Sequence, residues 1–356
     1  MNRLCQSSYG NLEAVINISG YNGDAQRKLV HFYRDRMTGQ WSACAVVSSN
    51  PESGGSIIQN ISKHHANQEH GDFEVVVLEN HGALQHYTRD NAIPVDDGVY
   101  AWRLSATVNV ASGPTSSVTA IHLAPLLQSQ FSMDNNSDGT TLETVIIDKS
   151  GKAIHYRCAQ YGTIDNSVER RHHWHQGRVI SETWREITGP ACIYQTSPDT
   201  LMAIIPDVDG VGQYHFKSNV WTVVRRLPAK GDPSCVYTNL VAGITVFHVL
   251  LRVEYEVHEM VFREKLWEAA KSPIPASLGQ IGHTPYHRVL ATNPITILSQ
   301  LNNTLGQSHN VEAMVFHASG TGLQDAWMIL HWSLLAGTGE WVVRDVVLPH
   351  VIGMPL

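Results

Sequence analysis

Two short segments of the chain bring aromatic, basic and acidic side chains together. Residues 183–186 read Thr-Trp-Arg-Glu, and residues 283–288 read His-Thr-Pro-Tyr-His-Arg. Aromatic walls suit a flat or apolar ligand, and an arginine or histidine can polarise its oxygen atoms. Two further loops each add one basic residue, His122 and Lys230. The predicted catalytic residues are Arg185, His287, Arg288 and His122. The predicted substrate-binding residues are Trp184, Glu186, Tyr286, His283 and Lys230. An ordinary surface-loop position is the alternative for each of them.

A metal or cofactor site is not predicted. His173 and His175 would share one face of a strand and could supply two ligands. No third histidine or carboxylate follows at a characteristic spacing, and Trp174 between them suits packing. The chain has no GxGxxG, HExxH, GxSxG or DxDxDG motif, and its five cysteines form no CxxC. We therefore predict no metal and no cofactor.

Glutamates recur at one place in successive repeats, namely at Glu13, Glu74, Glu143 and Glu312. A ring of acid catalysts is one interpretation of this pattern. We favour a structural role, in which each carboxylate accepts hydrogen bonds from a neighbouring strand or sheet. Histidines on the next strand are predicted as strand partners: His31, His86 and His155.

The composition is that of a folded protein with few charges. Of 356 residues, 43% are hydrophobic and 16% are charged, which excludes a disordered chain. The net charge of −7 argues against nucleic acid or an anionic membrane as a partner. The longest apolar run, near 241–253, is too short to span a membrane. Four N-x-[ST] sequons favour glycosylation in the secretory pathway, but the first residues form no apolar signal segment. Localisation and homo-oligomerisation stay open.

One phrase recurs six times along the chain. Each copy begins with an apolar run that ends in glutamine, or once in threonine. A strand with alternating apolar and polar residues follows. In the best copies the next strand reads Leu-x-His-aromatic-x-Arg-Asp. A tryptophan tends to open the last strand of a unit: Trp41, Trp102, Trp174, Trp221, Trp267 and Trp341. The predicted units lie within one domain, 1–356, and are 1–55, 56–124, 125–188, 189–231, 232–293 and 294–356.

Repeats of about 40–60 residues with four strands and one tryptophan are typical of β-propeller blades. We predict an all-β, six-bladed propeller with four-stranded antiparallel blades, and a seven-bladed ring is the alternative. The N-terminal segment is expected to pair with the strand around Val342 and Val343 and so close the ring. In such a fold most of the tryptophans are packing residues.

The repeated phrase also resembles the blade repeat of fucose-binding propeller lectins of the PLL type. The residues that carry the resemblance are apolar-Gln, then G-[ND]-[LF]-E-[AV]-V-[IV], then L-x-H-[FY]-x-R-D, and the match is best in the first three units. It implies a propeller that binds carbohydrate. The His-aromatic-x-Arg-Asp strand survives in two units, in part in a third, and is lost from the fourth and sixth. Because a multivalent lectin needs equivalent sites, this divergence predicts a single asymmetric site at the ring axis.

In its length, irregular units, sequons and low charge the chain is similar to the fungal hetero-Diels-Alderases of tropolone–sesquiterpenoid biosynthesis. This resemblance implies a cofactor-free pericyclase that joins a tropolone ortho-quinone methide to a humulene-type sesquiterpene. Its partners would be two small molecules, a polyketide tropolone and a terpene, held in an apolar pocket with hydrogen bonds to a carbonyl. We expect this function first. A carbohydrate-binding lectin is the alternative, and a non-catalytic protein-interaction propeller is a third.

Overall fold

A computed structural model of the chain describes residues 4–19, 26–60, 70–79, 82–91, 101–108, 120–129, 141–159, 173–181, 187–197, 200–227, 231–241, 244–253, 256–263, 266–269, 280–281, 284–285, 289–291, 296–299, 311–319, 326–334 and 341–346. Every regular element within these ranges is a β-strand. The same ranges therefore contain no helix long and apolar enough to cross a membrane. The predicted all-β class is confirmed.

The first two sheets are meanders of four antiparallel strands each. Sheet 1 contains β1 (Leu4–Gln6), β2 (Leu12–Ser19), β3 (Arg27–Arg34) and β4 (Trp41–Ser48). Sheet 2 contains β5 (Ser56–Gln59), β6 (Phe73–Glu79), β7 (Ala83–Arg89) and β8 (Arg103–Val108). Strand order follows the chain, so the short first strand lies at one edge of each sheet and the last strand at the other.

The third and fourth sheets keep this order. Sheet 3 contains β9 (Ala120–Leu123), β10 (Leu127–Ser129), β11 (Thr141–Asp148), β12 (Ala153–Ala159) and β13 (His173–Val179). Both β9 and β10 pair with β11, which makes this sheet five-stranded. Sheet 4 contains β14 (Cys192–Ser197), β15 (Thr200–Asp207), β16 (Gly210–Lys217) and β17 (Val220–Leu227).

The last part of the chain forms two more sheets and a short ribbon. Sheet 5 contains β18 (Asp232–Val241), β19 (Ile244–Val253), β20 (Glu256–Arg263) and β21 (Leu266–Ala269). The ribbon pairs β22 (Gln280–Ile281) with β23 (Thr284–Pro285). Sheet 6 contains β24 (Val289–Ala291), β25 (Thr296–Ser299), β26 (Val311–Ser319), β27 (Ala326–Leu334) and β28 (Trp341–Val346), with β24 and β25 both paired to β26.

The sheets follow one another around a closed ring. Edge strands of neighbouring sheets contact each other: β1 contacts β5, β10 contacts β14, β14 contacts β18, and β18 contacts β25. Between sheets 2 and 3, β9 contacts β6. β25 also contacts β1, which places sheet 6 beside sheet 1. The fold is a β-propeller, as predicted, and its described strands group into six sheets of four or five strands. No further sheet of that size, as a seven-bladed ring would need, is present in the described ranges.

The predicted closure of the ring by strand pairing is wrong. β1 pairs with β2 and β28 pairs with β27, and no ladder joins β1 to β28 among the described residues. The reason is position: β1 contacts the short strands of its neighbours, whereas β28 lies at the opposite edge of its sheet. Side chains meet across this seam instead, since the rings of Trp41 and His331 are edge-on with centroids 5.8 Å apart.

The hydrophobic core lies between the sheets. β6 and β11 are buried along their whole length, as expected for strands covered on both faces. One apolar cluster joins sheets 3 and 4 through residues such as Val145, Leu201 and Phe216, and other clusters join sheets 2 and 3 and sheets 4 and 5. Side chains at a boundary between two sheets are therefore held in place by close packing.

Candidate functional site

A buried histidine–glutamate pair recurs in the first three sheets. Nε2 of the histidine and Oε2 of the glutamate are 3.0 Å apart in His31–Glu13, 2.8 Å in His86–Glu74 and 2.7 Å in His155–Glu143. The six side chains are at most 5% exposed. The prediction that these glutamates accept hydrogen bonds from a neighbouring strand is confirmed; the side chain of Glu312 lies outside those described.

The strand register determines where these pairs form. Glu13 lies on β2, and His31 lies on β3 opposite Val15, two residues further along β2. Residues i and i+2 of a strand share a face, so the imidazole approaches the carboxylate diagonally. The β6–β7 and β11–β12 ladders have the same register, which is why the pair repeats.

A tryptophan from the following sheet covers each of these histidine rings. The rings are edge-on, with centroids 5.5–5.6 Å apart, in three contacts: His31–Trp102, His86–Trp174 and His155–Trp221. The histidine is thus bonded within its own sheet and packed against the next one. The prediction that the tryptophans serve packing is confirmed for these three.

The contact in sheet 2 shows how the imidazole is protonated. Trp174 Nε1 donates to His86 Nδ1 at 3.2 Å, so Nδ1 is the acceptor and Nε2–H donates to Glu74. That pattern requires a neutral ring. Burial disfavours the charged form and lowers the pKa of His86 to about 3. Burial likewise lowers the pKa of His31, against the opposing hydrogen bond to Glu13.

Sheets 4 and 5 make the corresponding contact with different residues. In sheet 4, Gln213 Nε2 lies 3.1 Å from Met202 Sδ, and Gln213 Oε1 accepts a hydrogen bond from Trp267 Nε1 at 3.0 Å. In sheet 5 the two residues are exchanged, because His248 lies on β19 and its Nδ1 is 2.8 Å from Oε1 of Glu259 on β20. The fold therefore requires a polar contact at these positions and accepts several residue pairs.

These pairs stabilise the ring and do not form a set of acid catalysts. The carboxylates of Glu13, Glu74 and Glu143 are 5%, 1% and 0% exposed, so no substrate reaches them. Each is occupied by a histidine that also touches the next sheet. A functional site must therefore lie elsewhere.

A surface cleft of about 310 Å³ opens where sheet 3 meets sheet 4. Its lining comes from β12 and β13 on one side and from β16 and the turn after it on the other: His155, Arg157, His175, Gln176, Gly177, Arg178, Phe216 and Asn219. The rings of His155 and Phe216 meet edge-on at 5.4 Å and are almost fully buried, so they form its floor. Polar side chains form the rim.

A β-bulge shapes one wall of this cleft. The β12–β13 ladder shifts register between Ile154 and Tyr156, so that Gly177 and Arg178 together oppose His155. Glycine is suited to this close approach, because a Cβ at position 177 would lie only 3.0 Å from the carbonyl oxygen of His155. The bulge brings the exposed side chain of Arg178 to the rim.

A tight turn shapes the opposite wall. Ser218 and Asn219 connect β16 to β17 with φ values of 52° and 64°, the left-handed conformation of a type I′ hairpin turn. Asparagine adopts this conformation more readily than most residues. The side chain of Asn219 lines the cleft, whereas that of Ser218 does not.

The cleft is positively charged. Arg157 Nε lies 3.5 Å from Glu143 Oε1 beneath it, and the Arg157 side chain is 19% exposed. Glu143 is fully buried and also accepts hydrogen bonds from Ser129 and Thr141 at 3.1 and 2.6 Å. None of the described residues lining the cleft is acidic, so Arg178 adds a positive charge that no lining carboxylate offsets.

Of the nine predicted site residues, His122 alone lies in the described part of the chain. It is on β9 opposite Ile147, is partly buried, and does not line the cleft. The single site expected at the ring axis stays a prediction, because the other eight residues lie outside the described ranges: Arg185, His287, Arg288, Trp184, Glu186, Tyr286, His283 and Lys230. The described residues contain no group of three or more His, Cys, Asp or Glu that could hold a metal.

The cleft is not among the predicted sites, although two of the patterns in the sequence contribute residues to it. Arg157 belongs to the third unit's partial copy of the His-aromatic-x-Arg-Asp strand, and His175 is one of the two histidines weighed as metal ligands. The two residues are cross-strand partners in the β12–β13 ladder. Pairing the third strand of each unit with its fourth would have placed them together; no sequence signal joins them to Asn219.

No protein-family model and no curated protein sequence matches the chain. Three similar solved structures are AofleA from Arthrobotrys oligospora, a protein of unknown function from Dyadobacter fermentans, and the GH93 α-L-arabinofuranosidase of Fusarium graminearum. Their sequence identities to this chain are 12%, 10% and 8%, and their TM-scores are 0.53, 0.57 and 0.47. The matches cover 97%, 93% and 82% of this chain and 94%, 92% and 91% of those chains. At such identities the first two show that the chain shares a β-propeller fold with them, and they show the fold alone.

Proposed function

We propose that this propeller binds a carbohydrate, as a lectin does, and holds it in the cleft between sheets 3 and 4. The observation that carries the proposal is the polar rim, whose side chains are exposed or half-buried: Arg157, His175, Gln176, Arg178 and Asn219. The resemblance of the repeated phrase to the blades of propeller lectins supports it.

The rim offers the hydrogen-bonding groups that sugar hydroxyls need. A hydroxyl both donates and accepts, and the amides of Gln176 and Asn219 each present donors beside an acceptor. The guanidinium groups of Arg157 and Arg178 add donors in a fixed planar arrangement. A volume of about 310 Å³ is near the lower end of the range of about 300–1,000 Å³ for small-molecule sites, which suits one or two sugar rings.

The same cleft is poorly suited to a terpene. The two rings at its floor, His155 and Phe216, are only 0% and 1% exposed, so they offer little surface to an apolar ligand. The pericyclase expected from the sequence depends on eight residues outside the described ranges and on His122, which does not line the cleft, so it stays a prediction. Carbohydrate binding is the function that the described geometry supports best.

Two glycine substitutions in one turn test the proposal. N219G removes a lining amide at a left-handed position where glycine fits without strain. S218G makes the same backbone change beside it without touching the cleft. A glycan array would identify a bound sugar, and titration calorimetry would compare the variants.

We expect N219G to weaken binding about two- to tenfold, the effect of one hydrogen bond. S218G should bind as the unmodified protein does. If the two variants bind with equal affinity, the sugar does not bind in this cleft. Absence of binding to every saccharide tested would refute the proposed function.

A further inference from the structure

We propose that the cleft selects a saccharide that carries a carboxylate, such as a uronic acid, over its neutral counterpart. This inference rests on the proposed carbohydrate binding and adds the class of sugar. The inference rests on the guanidinium groups of Arg157 and Arg178 and the imidazole of His175, which lie around one cleft. None of the described residues that line this cleft is acidic.

The charge below the cleft is already balanced. The carboxylate of Glu143 is paired with Arg157 and accepts hydrogen bonds from His155, Ser129 and Thr141. The positive charge of Arg157 offsets that of the carboxylate, so the pair adds no net negative charge beneath the cleft. Arg157 is held in place by this pair and presents the exposed part of its side chain to the cleft.

The cations at the rim are in a different situation. Arg178 and His175 are exposed, and neither has an acidic partner within the part of the chain that the structure describes. A guanidinium forms two parallel hydrogen bonds with a carboxylate, and such charged bonds are roughly twice as strong as neutral ones. A neutral sugar leaves this capacity unused, whereas a uronic acid places a planar carboxylate against it.

The position of Arg178 in the bulge gives the selection a structural basis. The bulge sets Gly177 against the backbone of His155 and so fixes the direction of the next residue. The backbone at Arg178 is thus defined before a ligand binds, so that only the side chain must become ordered, whereas on a mobile loop the backbone would have to become ordered as well. The cleft is therefore organised to receive an anion before the sugar arrives.

Matched sugar pairs provide the test: glucuronate against glucose, and galacturonate against galactose, which differ only at C6. Titration calorimetry with the full-length protein at low salt measures both members of each pair. We expect the better-bound uronate to exceed its neutral counterpart about tenfold or more, with a preference that shrinks as salt is added. R178Q should abolish most of the preference, and K152Q should keep it, because Lys152 is exposed on the β11–β12 turn and does not line the cleft.

The outcomes separate the two proposals. Equal affinity for a uronate and its neutral counterpart overturns the carboxylate selection and leaves carbohydrate binding standing. An equal loss in R178Q and K152Q assigns the preference to overall charge and also overturns it. Absence of binding to all four sugars and to every glycan on the array overturns the proposed function and this inference together.

Discussion

The Glu74–His86 pair can be replaced by the residues that sheet 4 uses at the same positions. H86Q alone leaves the buried carboxylate of Glu74 without its histidine, although the Asn60 amide still donates to it at 3.3 Å. Because His86 is neutral, what is lost is a hydrogen bond to a buried charged group, and this costs about 3 kcal/mol. E74M alone leaves a neutral imidazole without its acceptor and costs about 1–3 kcal/mol.

The double variant E74M/H86Q should be much less damaged than these losses imply. In sheet 4 the glutamine amide contacts the Met202 sulfur, and its carbonyl accepts the hydrogen bond from Trp267. Trp174 is placed to donate in the same way in sheet 2. No buried charge remains unpaired, so we expect the double variant to lose at most about 2 kcal/mol.

Urea denaturation followed by tryptophan fluorescence measures all four proteins. The coupling energy is the difference between the stability lost by the double variant and the sum of the losses in the two single variants. We expect it to be at least about 2 kcal/mol. The dependence of the free energy of unfolding on urea should be unchanged among them. Additivity within about 0.5 kcal/mol would refute the view that the two positions act as one contact.

Three further predictions concern the same region. The free energy of unfolding should fall as the pH is lowered from 6.5 toward 3. His86, with a pKa of about 3, stays neutral in the folded chain over this range, whereas the unfolded histidine binds a proton. A free energy of unfolding that stays constant with pH in acid denaturation would contradict this. W174F removes the donor to His86 Nδ1 and should cost about 1–3 kcal/mol in urea, and a smaller loss would mean that packing alone matters. G71A should cost about 3 kcal/mol or more, because its Cβ would overlap the Asn60 carbonyl oxygen, which belongs to the backbone; an unchanged melting temperature would show that the backbone yields.

Much of the fold could be predicted because each sheet is built from consecutive strands. The phrase around Glu13 and His31 marks two adjacent strands, and their alternation shows which residues are buried. That the histidine bonds to the glutamate follows from local pairing alone. The closure of the ring could not be predicted, since the contact between Trp41 and His331 joins the first sheet to the last and so lies far beyond any local sequence pattern.

The candidate site was harder to predict, for physical reasons. The cleft needs a register shift at Gly177 and a turn at Asn219, and the spacing of residues reveals neither. In sheet 5 the histidine, His248, comes before its glutamate, Glu259, in the chain. The repeated glutamate pattern therefore does not identify this pair. The local sequence pattern predicts strands well, whereas contacts between sheets depend on how the side chains of two sheets fit together.

The reversed order in sheet 5 also restricts how one arrangement can change into the other. When glutamate and histidine are the two residues used, single substitutions pass through two glutamates or two histidines at the buried positions. Two adjacent buried carboxylates repel each other unless one takes up a proton. Two neutral imidazoles can bond, one nitrogen donating and another accepting. Of these two routes, the one through a histidine pair is therefore accessible. On it, a histidine at the position of His248 on β19, the second strand of sheet 5, appears before the glutamate on the next strand.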